Sequence, residues 1–172
     1  TATDADHDAT SSSFAVTVDG SGSILEGGAG DDTINAGTGI DTIVFDADDS
    51  HIDGGDGYDT LLITDALTID FAAVADKATS IEVVDLQQGQ VDTIAISLSD
   101  VLQMTDGDTT GTLRLNVDDT DNVTLESTDD NANPVTWTTG ADTTDGYHTY
   151  TGSSIDGTVT LEINTLIDVP QS

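Results

Sequence analysis

A nine-residue repeat constrains this chain more than any other feature of its sequence. Read in nines from Gly27, the sequence gives four units that end at Leu62: GGAGDDTIN, AGTGIDTIV, FDADDSHID and GGDGYDTLL. The eighth place of every unit is apolar and holds Ile34, Ile43, Ile52 and Leu61. A short unit with one inward apolar residue cannot bury that residue alone, so each unit predicts a turn and a short strand that stack on other units. We therefore expect a solenoid, in which units n and n+2 lie above one another if two units form one coil.

Aspartate and glycine recur at fixed places in the same units. The sixth place holds Asp32, Asp41 and Asp59, and it holds Ser50 in the third unit. Glycine fills the second and fourth places of the three other units, at Gly28, Gly30, Gly37, Gly39, Gly55 and Gly57. Stacked coils would bring the aspartates into columns with a spacing of about 4.8 Å, where like charges repel unless a cation lies between them. Glycine permits positive φ angles, so its carbonyl can turn toward the same point as the carboxylates.

The ligands in these turns predict the metal. A shell of carboxylate and carbonyl oxygens, without sulfur or imidazole, favours Ca²⁺ over Mg²⁺ or Zn²⁺. We expect two or three Ca²⁺ ions in the turns; the alternative is a glycine-rich hairpin without metal. In the third unit Asp46 and Asp48 stand where the other units have glycine. Because aspartate tolerates the left-handed conformation, we expect that turn to form as well, with Asp46 and Asp48 among the candidate ligands.

The units resemble GGxGxDxUx, the nonapeptide of the RTX (repeats-in-toxin) proteins. Three of the four units match this pattern well and follow it in the same nine-residue phase. The resemblance implies an all-β chain in which residues 20–66 form a parallel β-roll with Ca²⁺ ions in its turns. It also implies that Asp32, Asp41 and Asp59 are side-chain ligands and that the nearby glycine carbonyls complete the shells.

A second, looser resemblance covers about residues 20–169. The nonapeptides are followed by IEVVDL, SLSDVLQM, TLRLNVDD, a tryptophan and LEINTLIDV, an order similar to the C-terminus of large RTX adhesins exported by type I secretion. It implies that residues 67–172 form a capping β-rich region and that about residues 120–172 carry the export signal. The type I secretion machinery would then be a partner, and the protein would be secreted or held at the cell surface.

The flanking residues predict more strands and one or two short helices. Residues 1–19, with an alternating strand around Val16, resemble a linker or the last strand of a preceding Ig-like extender repeat. Helices are predicted over 71–78 and 98–104, the second capped by Ser97 or Ser99. Strands are predicted over 81–86, 93–97, 113–117, 123–125, 135–137, 147–150 and 159–163. Weaker metal candidates are Asp4, Asp6, Asp8, Asp106, Asp108, Asp118 and Asp121.

The charge of the chain excludes several classes of partner. Lys77 and Arg114 face 34 acidic residues, which gives a formal net charge of -32. Nucleic acid is excluded because there is no basic surface to contact phosphates, and membrane insertion is not expected because no run of about 20 apolar residues exists. We expect a monomer. The missing initiator methionine and signal peptide suggest a piece of a longer protein.

No catalytic site is predicted. The histidines are scattered, cysteine is absent, and neither an H-E-x-x-H nor a G-x-S-x-G motif occurs. The resemblance to RTX adhesins therefore implies a Ca²⁺-dependent folding module of a secreted bacterial adhesin rather than an enzyme. The alternative is a Ca²⁺-dependent module that binds a surface ligand. That ligand would be a glycan stacked on Trp137, Tyr147 or Tyr150, or ice, since Thr38 within GTGxD resembles ice-binding RTX domains.

Overall fold

The computed structural model describes residues 15–17, 22–64, 70–86, 93–106, 111–164 and 169. These residues form mostly β-strands in largely parallel sheets, with two short helices among them. The strands are β1 (Ala15–Thr17), β2 (Ile24–Leu25), β3 (Thr33–Asn35), β4 (Thr38–Gly39), β5 (Thr42–Val44), β6 (His51–Asp53), β7 (Asp56–Gly57), β8 (Thr60–Leu62), β9 (Ala78–Thr79), β10 (Val83–Asp85), β11 (Thr93–Ile96), β12 (Thr112–Asn116), β13 (Asn122–Leu125), β14 (Thr136–Thr139), β15 (Tyr147–Ser153) and β16 (Thr158–Asn164). The helices are α1 (Phe71–Ala75) and α2 (Leu98–Met104).

Alternate units of the repeat stack on one another. β3 pairs with β6 in parallel, with Ile34 opposite Ile52, and β5 pairs with β8 in parallel, with Ile43 opposite Leu61. Both pairs join residues 18 positions apart, which is two units of nine. The predicted stacking of units n and n+2 is confirmed by this register.

The stack extends beyond the glycine-rich units at both ends. Upstream, β1 brings Val16 opposite Ile34, and β2 brings Leu25 opposite Ile43. Downstream, β9 follows β6 and β10 follows β8, although their spacing is no longer 18 residues. Residues 15–17 therefore lie in the same sheet as the repeats, and the domain boundaries near 19 and 66 stay predictions.

The apolar eighth places form the centre of the fold. Ile34, Ile43, Ile52 and Leu61 are completely buried and belong to a core that continues into the C-terminal half. Burying one such side chain contributes about 1.5–3 kcal/mol, so a unit with a single apolar residue gains its stability only when its neighbours are present. This is why the turns next to the core are held close together.

The two helices follow the repeats and pack on the core. α2 has the predicted bounds, and Ser97 caps it in a reciprocal capping box with Asp100. α1 begins after the cap Asp70 and ends at Ala75, so the predicted extension to residue 78 is wrong. Ala78 instead starts β9, and the Ile52 N–H donates to the Lys77 carbonyl at 2.7 Å, which pulls this segment onto the sheet.

The C-terminal half extends the sheet that begins in the repeats. The eight-stranded sheet has the order β14-β15-β16-β12-β10-β8-β5-β2, with β15 and β14 antiparallel at one end and the other strands parallel. The strands predicted after residue 80 are confirmed, with ends shifted by a few residues.

Arg114 on β12 lies opposite Glu162 on β16 and donates to its carboxylate from Nε at 2.9 Å. The Arg114 guanidinium also stacks on Tyr147, 4.1 Å from the centroid of its ring. These contacts fix the register of the two strands. Neither described helix has the length and apolar character needed to cross a membrane.

Candidate metal centre

Two buried aspartates of the repeats stand in one column. Thr42 lies opposite Thr60, so the preceding residues, Asp41 and Asp59, lie above one another. The Asp41 N–H donates to Asp59 Oδ1 at 2.8 Å, and the N–H of Ser23, one coil earlier, donates to Asp41 Oδ1 at 2.7 Å. Both aspartates are completely buried. One oxygen of each carboxylate thus joins neighbouring coils.

The second oxygen of these carboxylates is buried without a hydrogen bond. Asp41 Oδ2 and Asp59 Oδ2 accept no hydrogen bond, and the same holds for Asp49 Oδ1 in the third unit. Removing a carboxylate from water costs several kcal/mol unless a positive charge and hydrogen bonds compensate it. No lysine, arginine or histidine of the described residues forms an ion pair with these three carboxylates. A cation from solution would compensate these buried charges.

The glycines are required by the close stacking of the turns. Five of the six predicted glycines have positive φ angles between 84° and 140°, namely Gly28, Gly30, Gly37, Gly39 and Gly55. Gly57 does not, but a Cβ atom there would overlap the Gly39 carbonyl of the coil above, and one on Gly55 would overlap the Gly37 carbonyl. The Gly37 carbonyl accepts the Asp56 N–H at 2.8 Å, and this hydrogen bond connects the two turns. It uses one of the two lone pairs of the carbonyl oxygen, so the other can accept a second partner.

The first glycine of a unit leaves room for the aspartate of its own turn. A Cβ atom on Gly27 would lie 2.8 Å from Asp32 Oδ2, and one on Gly54 would lie 3.1 Å from Asp59 Oδ2. In these two units the carboxylate therefore folds back over the start of the turn, close to the glycine. This turn is a cradle that a side chain would fill.

The second column contains Asp32 and the divergent third unit. Asp32 is almost fully buried, and its carbonyl accepts the Ser50 N–H at 3.0 Å, so the turn 45–50 stacks on the turn 27–32 as predicted. The expectation of left-handed residues at Asp46 and Asp48 is wrong, since neither has a positive φ angle. Instead, Asp46 Oδ1 accepts the Asp48 N–H at 2.9 Å, and Asp49 Oδ2 accepts the Asp46 N–H at 3.3 Å. Local side-chain bonds thus replace the glycine geometry.

Asp49 is the buried acid of this turn, whereas Asp48 and Ser50 are exposed. Burial raises the pKa of Asp49 to about 6, and the charges of Asp46 and Asp32 add to the rise against the opposing Asp46 N–H bond. Burial also raises the pKa of Asp59, where the Asp41 N–H bond opposes the shift and the Asp41 charge adds to it. Burial and neighbouring negative charge thus both disfavour the ionised form of these two carboxylates.

Lys77 lies at the end of the second column, next to the turn of the third unit. Its ammonium donates to the Ala47 carbonyl in the turn 45–50. A protein cation therefore already occupies one face of this turn, on the side where the repeats stop. The opposite face of the turn lies toward Asp32.

The donor set fits Ca²⁺. In the part of the chain that the structure describes, no three aspartate, glutamate or histidine side chains form a group that could hold an ion by themselves. Each ion would therefore be bound by one or two carboxylates and by backbone carbonyls, which is the oxygen-only, flexible shell that Ca²⁺ accepts. Asp41 and Asp59 would serve one column, and Asp32 with Asp49 the other.

The weaker candidates have other contacts or lie elsewhere. Asp106 accepts the Ser80 Oγ hydrogen bond at 2.7 Å. Asp118 and Asp121 form a local turn in which the Asp118 N–H donates to Asp121 Oδ2 at 2.8 Å. Asp4, Asp6, Asp8 and Asp108 lie outside the described residues.

The residues of the ligand-binding alternative are mostly used in packing. Tyr150 is 2% exposed, and Trp137 donates from Nε1 to the Glu126 carbonyl at 2.8 Å while its ring covers Gly152. Thr38 lies opposite Asp56 in the adjacent coil, so the described coils carry no threonine row at this position.

Comparison of the chain with protein-family models, with curated proteins and with solved structures finds no match.

Sequence reasoning missed two acids that the structure places beside the candidate ligands. Asp49 occupies the fifth place, where Asp31, Ile40 and Tyr58 are exposed in the other units, and only the local turn brings it inward. Glu82 lies 23 residues after Asp59, and its Oε2 accepts the Asp59 N–H at 2.7 Å. The sequence did contain a signal for Glu82, because IEVV has the same order of residue types as IDTI and YDTL. In all three segments an acidic residue stands two positions before a buried apolar residue.

Proposed function

We propose that this chain is a Ca²⁺-dependent folding module from the C-terminus of a secreted bacterial adhesin. In this proposal the repeats form an RTX β-roll, and the C-terminal half supports type I secretion. The observation that carries the proposal is the column of Asp41 and Asp59, whose buried Oδ2 atoms have no hydrogen-bond partner. A cation that neutralises such buried groups would stabilise the fold.

Bound Ca²⁺ would supply positive charge and oxygen coordination at the turns. The chain's own residues supply the rest: the glycines allow the coils to approach, the aspartates join consecutive coils, and the apolar eighth places close the core. Since binding free energy at a site absent from the unfolded chain is also folding free energy, Ca²⁺ would control whether the repeats fold.

The net charge indicates where the chain would be unfolded and where it would fold. At -32 the chain repels itself when Ca²⁺ is scarce, as in a cytosol, and would stay unfolded and able to pass through a secretion channel. Outside the cell, Ca²⁺ near the range of about 10⁻⁴ to 10⁻³ M that extracellular modules bind would fold it. Folding after export would hinder its return.

Export from a bacterial host that carries a type I exporter tests the proposal. Three chains are compared: the full chain, a chain lacking residues 120–172, and a chain lacking residues 22–62. We expect the full chain and the chain without repeats in the medium, and the chain without residues 120–172 inside the cells. We also expect Ca²⁺ to make the exported full chain resistant to protease, but not the chain without repeats. Normal export without residues 120–172 would contradict the secretion role.

A further inference from the structure

The column of acids continues beyond the repeats. Val83 lies opposite Thr60, as Thr60 lies opposite Thr42, so Glu82 stands in register with Asp59 and Asp41. The bonding pattern continues too, because the Asp59 N–H donates to Glu82 Oε2 just as the Asp41 N–H donates to Asp59 Oδ1. Glu82 therefore takes the place of the repeat aspartate in a coil that has no glycine nonapeptide.

The turn that precedes Glu82 contacts the last glycine turn closely. The Gly54 N–H donates to the Thr79 carbonyl at 3.0 Å, and the next residue, Ser80, has a positive φ angle of 54°. The Ser80 carbonyl oxygen and Asp59 Oδ2 both lie within 3.1 Å of the point that a Cβ atom on Gly54 would occupy. These two oxygens are thus neighbours beside Gly54, and only glycine leaves that space open.

Asp59 Oδ2 is the buried polar atom that indicates a ligand at this place. Asp59 is completely buried, and this oxygen accepts no hydrogen bond although it lies beside the Ser80 turn. Its other oxygen is already used by the Asp41 N–H. A buried oxygen with free lone pairs next to a second oxygen is an arrangement that a cation satisfies and a hydrogen bond between the two cannot.

The negative charge around this space is high. Glu82 Oε2 accepts the Asp59 N–H at 2.7 Å, which holds a second carboxylate beside Asp59. Asp106 reaches the same turn by accepting the Ser80 Oγ–H bond at 2.7 Å. Both described cationic side chains, Lys77 and Arg114, contact other groups.

We propose that the chain binds an additional Ca²⁺ ion between the turn 54–59 and the turn 80–82, outside the sites that the nonapeptide pattern predicts. Asp59, Glu82 and the Ser80 carbonyl are its ligands, and Asp106 lies at its margin. This inference rests on the proposed Ca²⁺-dependent folding and adds to it. The site joins the last glycine coil to the helical and C-terminal part of the chain, so Ca²⁺ links the two parts.

Ca²⁺ stoichiometry and linkage in the full chain test the site. Glu82→Gln removes the charge but keeps an oxygen that can accept the Asp59 N–H bond. The number of bound ions is measured by equilibrium dialysis with Ca²⁺ alone. The number released on unfolding is measured from the dependence of the thermal midpoint on the logarithm of Ca²⁺ concentration. We expect both numbers to fall by one in Glu82→Gln and to stay unchanged in Glu126→Gln, a control that removes one exposed carboxylate directly after β13.

The outcomes separate this inference from the proposed function. If Glu82→Gln keeps every ion and the same Ca²⁺ dependence while Asp41→Asn loses an ion, the additional site is overturned and the repeat sites stand. If the wild-type chain binds no Ca²⁺, the proposed function fails as well. A lower midpoint with an unchanged Ca²⁺ dependence would assign Glu82 a purely structural role and overturn the site. Should Glu82→Gln not fold, Asp106→Asn is measured instead: we expect at least about threefold weaker Ca²⁺ binding at one site, and unchanged binding overturns the proposal.

Discussion

Replacing Asp41 with asparagine removes a charge from the centre of the column and almost nothing else. The side chain keeps its shape, and its amide oxygen can still accept the Ser23 N–H that Asp41 Oδ1 accepts at 2.7 Å. The Asp41 N–H bond to Asp59 Oδ1 is a backbone bond and remains. What changes is the buried Oδ2 atom, which has no hydrogen-bond partner and would bind the metal.

The expected loss follows from mass action. A site with a dissociation constant of about 10⁻⁴ to 10⁻³ M, in about 10 mM Ca²⁺, stabilises the folded state by about 1.4 to 2.7 kcal/mol. Asp41→Asn should lose that amount if it abolishes one ion. Without Ca²⁺ the difference from wild type should shrink or reverse, since the variant no longer buries an uncompensated charge.

Urea unfolding at several Ca²⁺ concentrations measures this loss. Asp31→Asn is the matched control, because Asp31 is an exposed acid of the preceding unit, and we expect it to change the free energy of unfolding by less than about 0.5 kcal/mol. The reasoning is refuted if Asp41→Asn and Asp31→Asn behave alike, or if the loss in Asp41→Asn does not grow with Ca²⁺ concentration.

Two further predictions concern the core and the pH dependence. Ile52 is completely buried between coils, so Ile52→Ala should cost about 2–5 kcal/mol in urea unfolding, whereas Ile40→Ala, at a position 68% exposed, should cost less than about 0.5 kcal/mol; equal losses would contradict the stacking. Burial raises the pKa of Asp100 above its ordinary 3.8 despite the bonds from Ser97, so the folded state holds this proton at pH values where the unfolded state has released it. The stabilisation from Asp100 is therefore complete below pH 3.8 and is lost as the pH rises through the folded-state pKa. The stability of the wild type relative to Asp100→Asn, measured by urea unfolding at saturating Ca²⁺, should fall with rising pH, and a difference that is flat or rises would contradict it.

The sequence predicted the repeat well because a nine-residue period carries its own register. One apolar place in nine, together with the condition that two units form one coil, was enough to pair Ile34 with Ile52 and Ile43 with Leu61. The burial of Asp41 and Asp59 followed from the same register, one residue before each strand. The bounds of α2 were also readable, because Ser97 and Asp100 form a local capping box that depends on no distant residue.

What the sequence did not predict depends on contacts between distant segments. The end of α1 is set by β6, which pairs with Ala78 and Thr79 and leaves no room for another helical turn. The inward position of Asp49 comes from two bonds with Asp46: Asp49 Oδ2 accepts the Asp46 N–H, and the Asp49 N–H donates to the Asp46 carbonyl. Glu82 enters the column only because β10 pairs with β8 at a spacing that the nonapeptide count does not contain.

The measurement that tests the account most directly is far-UV circular dichroism during a Ca²⁺ titration of the EDTA-treated chain, with Mg²⁺ in parallel. The control is a variant that combines Asp32→Ala, Asp41→Ala and Asp59→Ala. We predict that Ca²⁺ alone converts a disordered spectrum into a β-rich one and that the variant stays disordered at the same Ca²⁺ concentration. A chain that is already β-rich in EDTA and does not respond to Ca²⁺ would contradict the central claim.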